Sequence, residues 1–269
     1  GSSLVAVGRN ALDANTTASH NTAVGDGAAG ATTEGGNNTA VGSAALAANT
    51  TGAGNTAIGR RALDAVTTNS NNTAVGVDSL SANTGSTNTA VGAQALQKNT
   101  SASNNAAVGY RALEENTTGH SNTAMGTEAL RENTTGTLNT AVGYSALFAQ
   151  TTGTENTAMG VRAGTAITSA DNCTLVGYQN GDAITTGSRN TSLGAETLTS
   201  LTTGVDNVAV GRENMFQATT ANRFVAVGNQ CLTNATTGEH NCGLGFQAGR
   251  SVTTGNSNIV VGVEAGREI

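Results

Sequence analysis

The chain has no proline and no tryptophan, three tyrosines, four phenylalanines and a single lysine, Lys98. Each scarcity excludes something. With 3% aromatic and 11% charged residues over 269 positions, the sequence lacks the large apolar side chains of an ordinary globular core. The missing proline and the modest charge also exclude the usual make-up of a disordered chain. Twelve basic residues against eighteen acidic ones, a net charge of −6, give no footprint for nucleic acid. No apolar run approaches the roughly 20 residues that cross a bilayer, so neither a membrane span nor a cleavable leader is expected. Cys173, Cys231 and Cys242 contain no C-x-x-C pair and fit neither a disulfide framework nor a zinc site.

What is present is repetition in Ala, Thr, Asn and 36 glycines. Glycine recurs at Gly8, Gly25, Gly42 and onward to Gly262, at intervals of seventeen residues with one interval of sixteen. That makes sixteen coils in one array over residues 1–269. Counting from this register glycine, the unit reads Asn-Thr-Ala-Val-Gly, two variable residues, Ala-Leu, two variable residues, then Asn-Thr-Thr-Gly and a short turn. Asn139 to Gly143, continuing to Thr151-Thr152-Gly153, is a representative copy. The one-residue deletion falls in the turn near Gly85, where a loss is easiest to absorb.

Seventeen residues are too few for paired helices or a leucine-rich repeat. One coil of two short strands and two turns fits, so the fold class expected is all-β, a parallel β-solenoid or β-roll of sixteen 17-residue coils. Ladder spacing would make it a rod on the order of 75 Å long.

Substitution among the copies indicates which side chains share an interior. Position −3 is usually Thr, as in Thr22 and Thr140, but becomes Val5, Val208, Val225, Cys242 or Ile259. That exchange is expected of a buried β site. Position −1 is always Val, Ile, Met or Leu and lies on the same face. Together they predict an inward apolar stripe, with Cys242 a small core residue. The nearly constant Ala between them predicts close approach from outside, as between neighbouring chains.

Position +4 is usually Leu, as in Leu46 and Leu147, but becomes Gly164, Gly181, Gly249 and Gly266. In the first three of those coils position +7 changes from Asn to Ile167, Ile184 and Val252. A side chain lost at one site and regained three residues later implies one shared interior volume. Three further columns are expected to be structural ladders: Gly25 and Gly143 at the register, Asn21 and Asn139 at position −4, and Thr117 and Thr134 at position +8. Stacked asparagines can hydrogen-bond along the axis and tie the turn amides.

The units Asn21 to Gly25 and Asn88 to Gly92 resemble the Asn-Ser-x-Ala-Ile-Gly units in the heads of trimeric autotransporter adhesins. Gly109 to Gly119 is similar to units of phage tail-fibre and bacterial surface fibre proteins. The resemblance covers the whole chain and departs from the adhesin heads in coil length, which is shorter there. It implies a left-handed roll, three chains side by side, and display outside the cell, on a cell surface or on a virion. The array runs from Leu4–Gly8 to Gly262–Ile269 without a polar cap, which is expected of a segment of a longer fibre or of ends that stack on other molecules.

Catalytic chemistry is not expected. His20 and His240 share a register far apart in the array, and His120 is offset by one position. The glycines are not followed by Gly-Lys-Ser/Thr, so no phosphate loop is indicated. Glu114 and Glu115 are adjacent and would point apart on a strand. Catalytic, cofactor and metal residues are therefore none, and the chain is not expected to be an enzyme. The candidate receptor-contact residues are Tyr110, Tyr144, Tyr178 and Phe246, each just after a register glycine, where exposed rings could stack on sugars of a surface glycan or host receptor. Covering a coil edge or a chain contact is the competing role. The function expected is a structural or adhesive fibre segment, an adhesin head or tail-fibre shaft. Its partner is itself, as a homotrimer or by end-to-end stacking. The alternatives are an ice-binding solenoid using its Thr ladder and a passive self-assembling filament.

Overall fold

The computed structural model describes residues 2–266. It contains sixteen three-residue strands and, among the described residues, no helix. The chain falls into two compact units, Gly1–Thr137 and Leu138–Ile269. The first holds β1 (Val5–Val7), β2 (Thr22–Val24), β3 (Thr39–Val41), β4 (Thr56–Ile58), β5 (Thr73–Val75), β6 (Thr89–Val91), β7 (Ala106–Val108) and β8 (Thr123–Met125). The second holds β9 (Thr140–Val142), β10 (Thr157–Met159), β11 (Thr174–Val176), β12 (Thr191–Leu193), β13 (Val208–Val210), β14 (Val225–Val227), β15 (Cys242–Leu244) and β16 (Ile259–Val261).

Within each unit every strand pairs in parallel with the next, one coil on. Thr22 pairs with Thr39 in the first unit, and Thr157 with Thr174 in the second. The short interval shifts nothing, because Thr73 still pairs with Thr89. The lost residue belongs to the turn, where Asn83 Oδ1 accepts from Gly85 N at 3.1 Å and closes the gap. The all-β parallel solenoid expected from the period is therefore present.

One expectation about the coil is corrected: each holds one strand, not two. In the segment around position +8 the chain wraps round a single acceptor. The N–H groups of Thr33, Glu34 and Gly35 all donate to the carbonyl of Thr50, at 3.0, 3.1 and 3.2 Å. Three donors converging on one oxygen are incompatible with the alternating partners of a strand. The remaining turns still stack by backbone bonds, as Ala44 N does on Asp26 O at 2.9 Å and Leu46 N on Ala62 O at 2.9 Å. Leu46 and Ala44 both have positive φ, 52° and 55°, a conformation an isolated chain would avoid. The ladder of coils holds it in place.

The interior is narrow and filled by the columns at −2, +3, +4 and +7. Ala at position −2, Ala at +3 and Leu at +4 are fully buried, as in Ala57, Ala62 and Leu63. The Leu-to-Gly exchange follows the shared-volume expectation. A Cβ at Gly164 would meet Ile167 Cδ1 at 3.1 Å, and one at Gly181 would meet Ile184 Cδ1 at 2.8 Å.

The stripe assignment of the strands is reversed. In β2 to β16 the middle residue is buried and the flanking two are half-buried or exposed. The Thr/Val column at −3 and the Val/Ile/Met/Leu column at −1 therefore face outward, and the Ala column faces inward. The coil is too narrow opposite Leu at +4 to admit more than a methyl group from the strand. The close approach inferred for the Ala stripe is thus the coil's own far wall and not a neighbouring chain. Cys242 is likewise outward and half-buried, while Cys231, at +3, is the buried core thiol.

Candidate functional site

The Asn column is built into the wall. In the first unit Asn38 N donates to Asn21 Oδ1 at 2.7 Å, and Asn38 Nδ2 donates to Gly52 O at 2.9 Å. The same pair recurs in the second, where Asn156 N donates to Asn139 Oδ1 at 2.9 Å and Asn139 Nδ2 to Gly153 O at 2.9 Å. Each side chain accepts from the backbone of the next coil and braces the turn that follows it. A second buried column at +7 does similar work, as Asn116 Nδ2 donates to Asn99 Oδ1 and to Gly119 O. The Thr column at +8 is also structural. Thr117 Oγ1 donates to Thr134 O at 2.9 Å, and Thr100 Oγ1 to Thr117 O at 2.9 Å.

Charges run along the axis in the same way. Arg9 pairs with Asp26, Lys98 with Glu115 and Arg189 with Asp206, each one coil on. The Arg9 hydrogen bond holds the Asp26 carboxyl below its ordinary range. Glu114 is buried and pairs with Arg131 at 2.8 Å. The three exposed pairs at Arg9, Lys98 and Arg189 contribute little each.

The histidines lie in turns. His20 and His240 occupy the position before Asn with φ of 60° and 59°, and His120 Nδ1 sits 3.4 Å from Ser121 Oγ. Among the described residues no three His, Cys, Asp or Glu gather into a metal-binding group. All three cysteines are free. Burial pushes the Cys231 thiol up to about 11 and raises that of Cys173 as well, so neither is activated as a nucleophile.

Two outward surfaces remain. The first is the strand face. In the first unit it presents Thr22, Thr39, Thr56 and Thr73 beside Val24, Val41, Ile58 and Val75. In the second it loses its hydroxyls along the chain, from Thr140, Thr157, Thr174 and Thr191 to Val208, Val225, Cys242 and Ile259. Met159, Leu193 and Leu244 are 45%, 52% and 48% exposed. Continuous apolar columns of this kind mark contact surfaces.

The second is the column after the register glycine, where the chain bends. Tyr110, Tyr144, Tyr178 and Phe246 are all exposed there. They are not equivalent. The guanidinium carbon of Arg111 lies 5.1 Å over the Tyr110 ring, which covers one face of it. Near this column in the second unit, Glu196, Arg212, Glu213, Phe216 and Thr233 line an open groove of about 430 Å³. Sequence reasoning missed both the groove and the outward strand face. No protein-family model, no curated protein and no solved structure matches this chain.

Proposed function

We propose that the chain is a structural and adhesive segment of an extracellular fibre, an adhesin head or tail-fibre shaft, whose copies associate through the strand face. The observation that carries this is the outward pair of columns at −3 and −1, apolar in every coil at −1. Such a face is stabilised by burial against another such face. The resemblance of the Asn-Thr-Ala-Val-Gly units to adhesin heads supplies the arrangement: three left-handed rolls side by side, strand faces inward, at a cell surface or on a virion. The polar turns at +9 and +11 then remain outside for solvent and for receptor. Substituting Val108→Lys in the first unit or Val225→Lys in the second should lower the molar mass in solution. Thr118→Lys, on the polar side, should not. Unchanged mass in both valine variants overturns the assignment of the face.

A second use of the same face is ice binding, favoured by the rows of β2 to β6, Thr-x-Val in all but β4, which is Thr-x-Ile. The varied bulk of Met125, Met159 and Leu193 and the loss of hydroxyls after β12 weigh against a surface that must match a lattice. Thermal hysteresis in a preparation of single chains would favour it over the fibre.

A further inference from the structure

In the second unit the residue after the register glycine alternates in kind. Flat groups stand at Tyr144, Tyr178, Arg212 and Phe246, thirty-four residues apart or, in each case, one such step of two coils. Between them come the smaller Val161, Ala195 and Asn229. Tyr144, Tyr178 and Phe246 are 51%, 51% and 43% exposed, and the Arg212 side chain is 59% exposed. The strands beneath pair one to one from β9 to β16. Consecutive flat groups are therefore about 9.6 Å apart, two ladder steps.

Arg212 is fixed as a platform. Its Nη2 lies 3.3 Å from Glu196 Oε2 and 2.5 Å from Glu213 Oε1. One cation between two carboxylates leaves the groove beside Phe216 net negative. A polar rail runs along the column at the next position, with Gln230 Nε2 donating to Glu213 Oε2 at 2.6 Å and Gln247 Nε2 to Gln230 Oε1 at 2.7 Å.

We infer that this column is a track for an uncharged, linear β-1,4-linked glycan, each flat group stacking on every second sugar while the rail of amides and carboxylates meets the ring hydroxyls. In an extended β-1,4 chain neighbouring rings are turned over, so the same ring face recurs every second sugar, a repeat that fits the two-coil step. The small residues between platforms leave room for the substituents of the alternate rings. Aromatic faces give contact area at low entropic cost, and the negative groove disfavours acidic sugars. The inference rests on the fibre reading only in that a fibre segment presents its flank to a surface. The first unit has one aromatic in this column, Tyr110, covered by Arg111. Its Arg60 does not fall on the two-coil step that runs through Tyr110, and its Arg9 stands six coils away, so the first unit is not part of the track.

The test is calorimetric titration of the full chain with hexasaccharides of β-1,4-linked glucose and of β-1,4-linked N-acetylglucosamine, with an α-1,6-linked glucose hexamer as control. Either β-1,4 chain should bind and the control should not. Tyr178→Ala should weaken binding about tenfold, Tyr178→Phe should keep it, and Val161→Ala should change little. No binding of either β-1,4 chain, or equal binding by Tyr178→Ala, overturns the track. Light scattering on the same samples separates the two proposals. A trimer that binds no glycan removes the track alone, and a single chain that binds keeps the track and removes the fibre association.

Discussion

A β-carbon added to Gly143, whose φ is 130°, would lie 2.5 Å from the carbonyl oxygen of Gly160, one coil on. Both the conformation and the space demand glycine, and neighbouring coils cannot yield because each is held by the next. Gly143→Ala should therefore cost more than about 3 kcal/mol. Gly27→Ala, at φ 67° with open space around its Cβ, should cost about 1 kcal/mol. Chemical denaturation of the two variants checks the difference.

The shared interior volume can be tested as a cycle. Ile167→Asn should open a cavity beside Gly164 and destabilise by about 2 kcal/mol or more. Gly164→Leu alone should collide with Ile167 and Leu175, which lie 3.1 and 3.0 Å from a Cβ built there. The double variant restores the Leu and Asn of most coils and should be more stable than the sum of the two, by at least about 1 kcal/mol.

Removing one asparagine from the wall should have a large effect for a polar residue. Asn38 donates to Gly52 O and accepts from Asn55 N, and it is 1% exposed. Asn38→Ala leaves the buried Asn55 N–H without its acceptor, at about 1–3 kcal/mol, while Gly52 O keeps Asn49 Nδ2 at 3.1 Å. A loss below about 1 kcal/mol in urea unfolding would contradict the ladder role.

The three thiols give a chemical readout of the faces. Cys173 and Cys231 are buried and should resist a maleimide at neutral pH. Cys242, on the strand face, should react in a separated chain and be protected where that face is covered. Because the folded Cys231 thiol is raised to about 11 from an ordinary 9.0, the folded state holds its proton longer than the unfolded one. Its contribution to stability is full below pH 9.0 and is lost as pH rises through about 11, which Cys231→Ala should abolish.

Much of this was legible in the sequence. The period, the parallel solenoid, the exchange of Leu for Gly and Ile, and the asparagine ladder all follow from treating the coils as repeated solutions to one packing problem. The direction of the strand did not. Exchange among Thr, Val, Ile and Cys at Thr22, Val208, Ile259 and Cys242 looks like burial, yet an outward apolar surface tolerates the same set. The informative residues were Leu175 and Val260, which replace Ala at −2. A Cβ at Gly181 would sit 3.1 Å from Leu175, and one at Gly249 would sit 3.6 Å from Val260. The middle strand residue grows where position +4 shrinks, so those two share the core. Ser192 carries the same message, since its hydroxyl donates to buried Asn180 Oδ1. The groove at Arg212 was not legible, because it gathers residues from three coils and the directions of Glu196 and Glu213 depend on φ near 55°.

The most direct test of the central claim, that the strand face is covered by further copies of the chain, is the molar mass in solution by light scattering after size exclusion. Association of three copies predicts about three times the 26.5 kDa chain mass, with Cys242 protected from maleimide. A single chain mass that persists at high concentration, with Cys242 reactive, would contradict it.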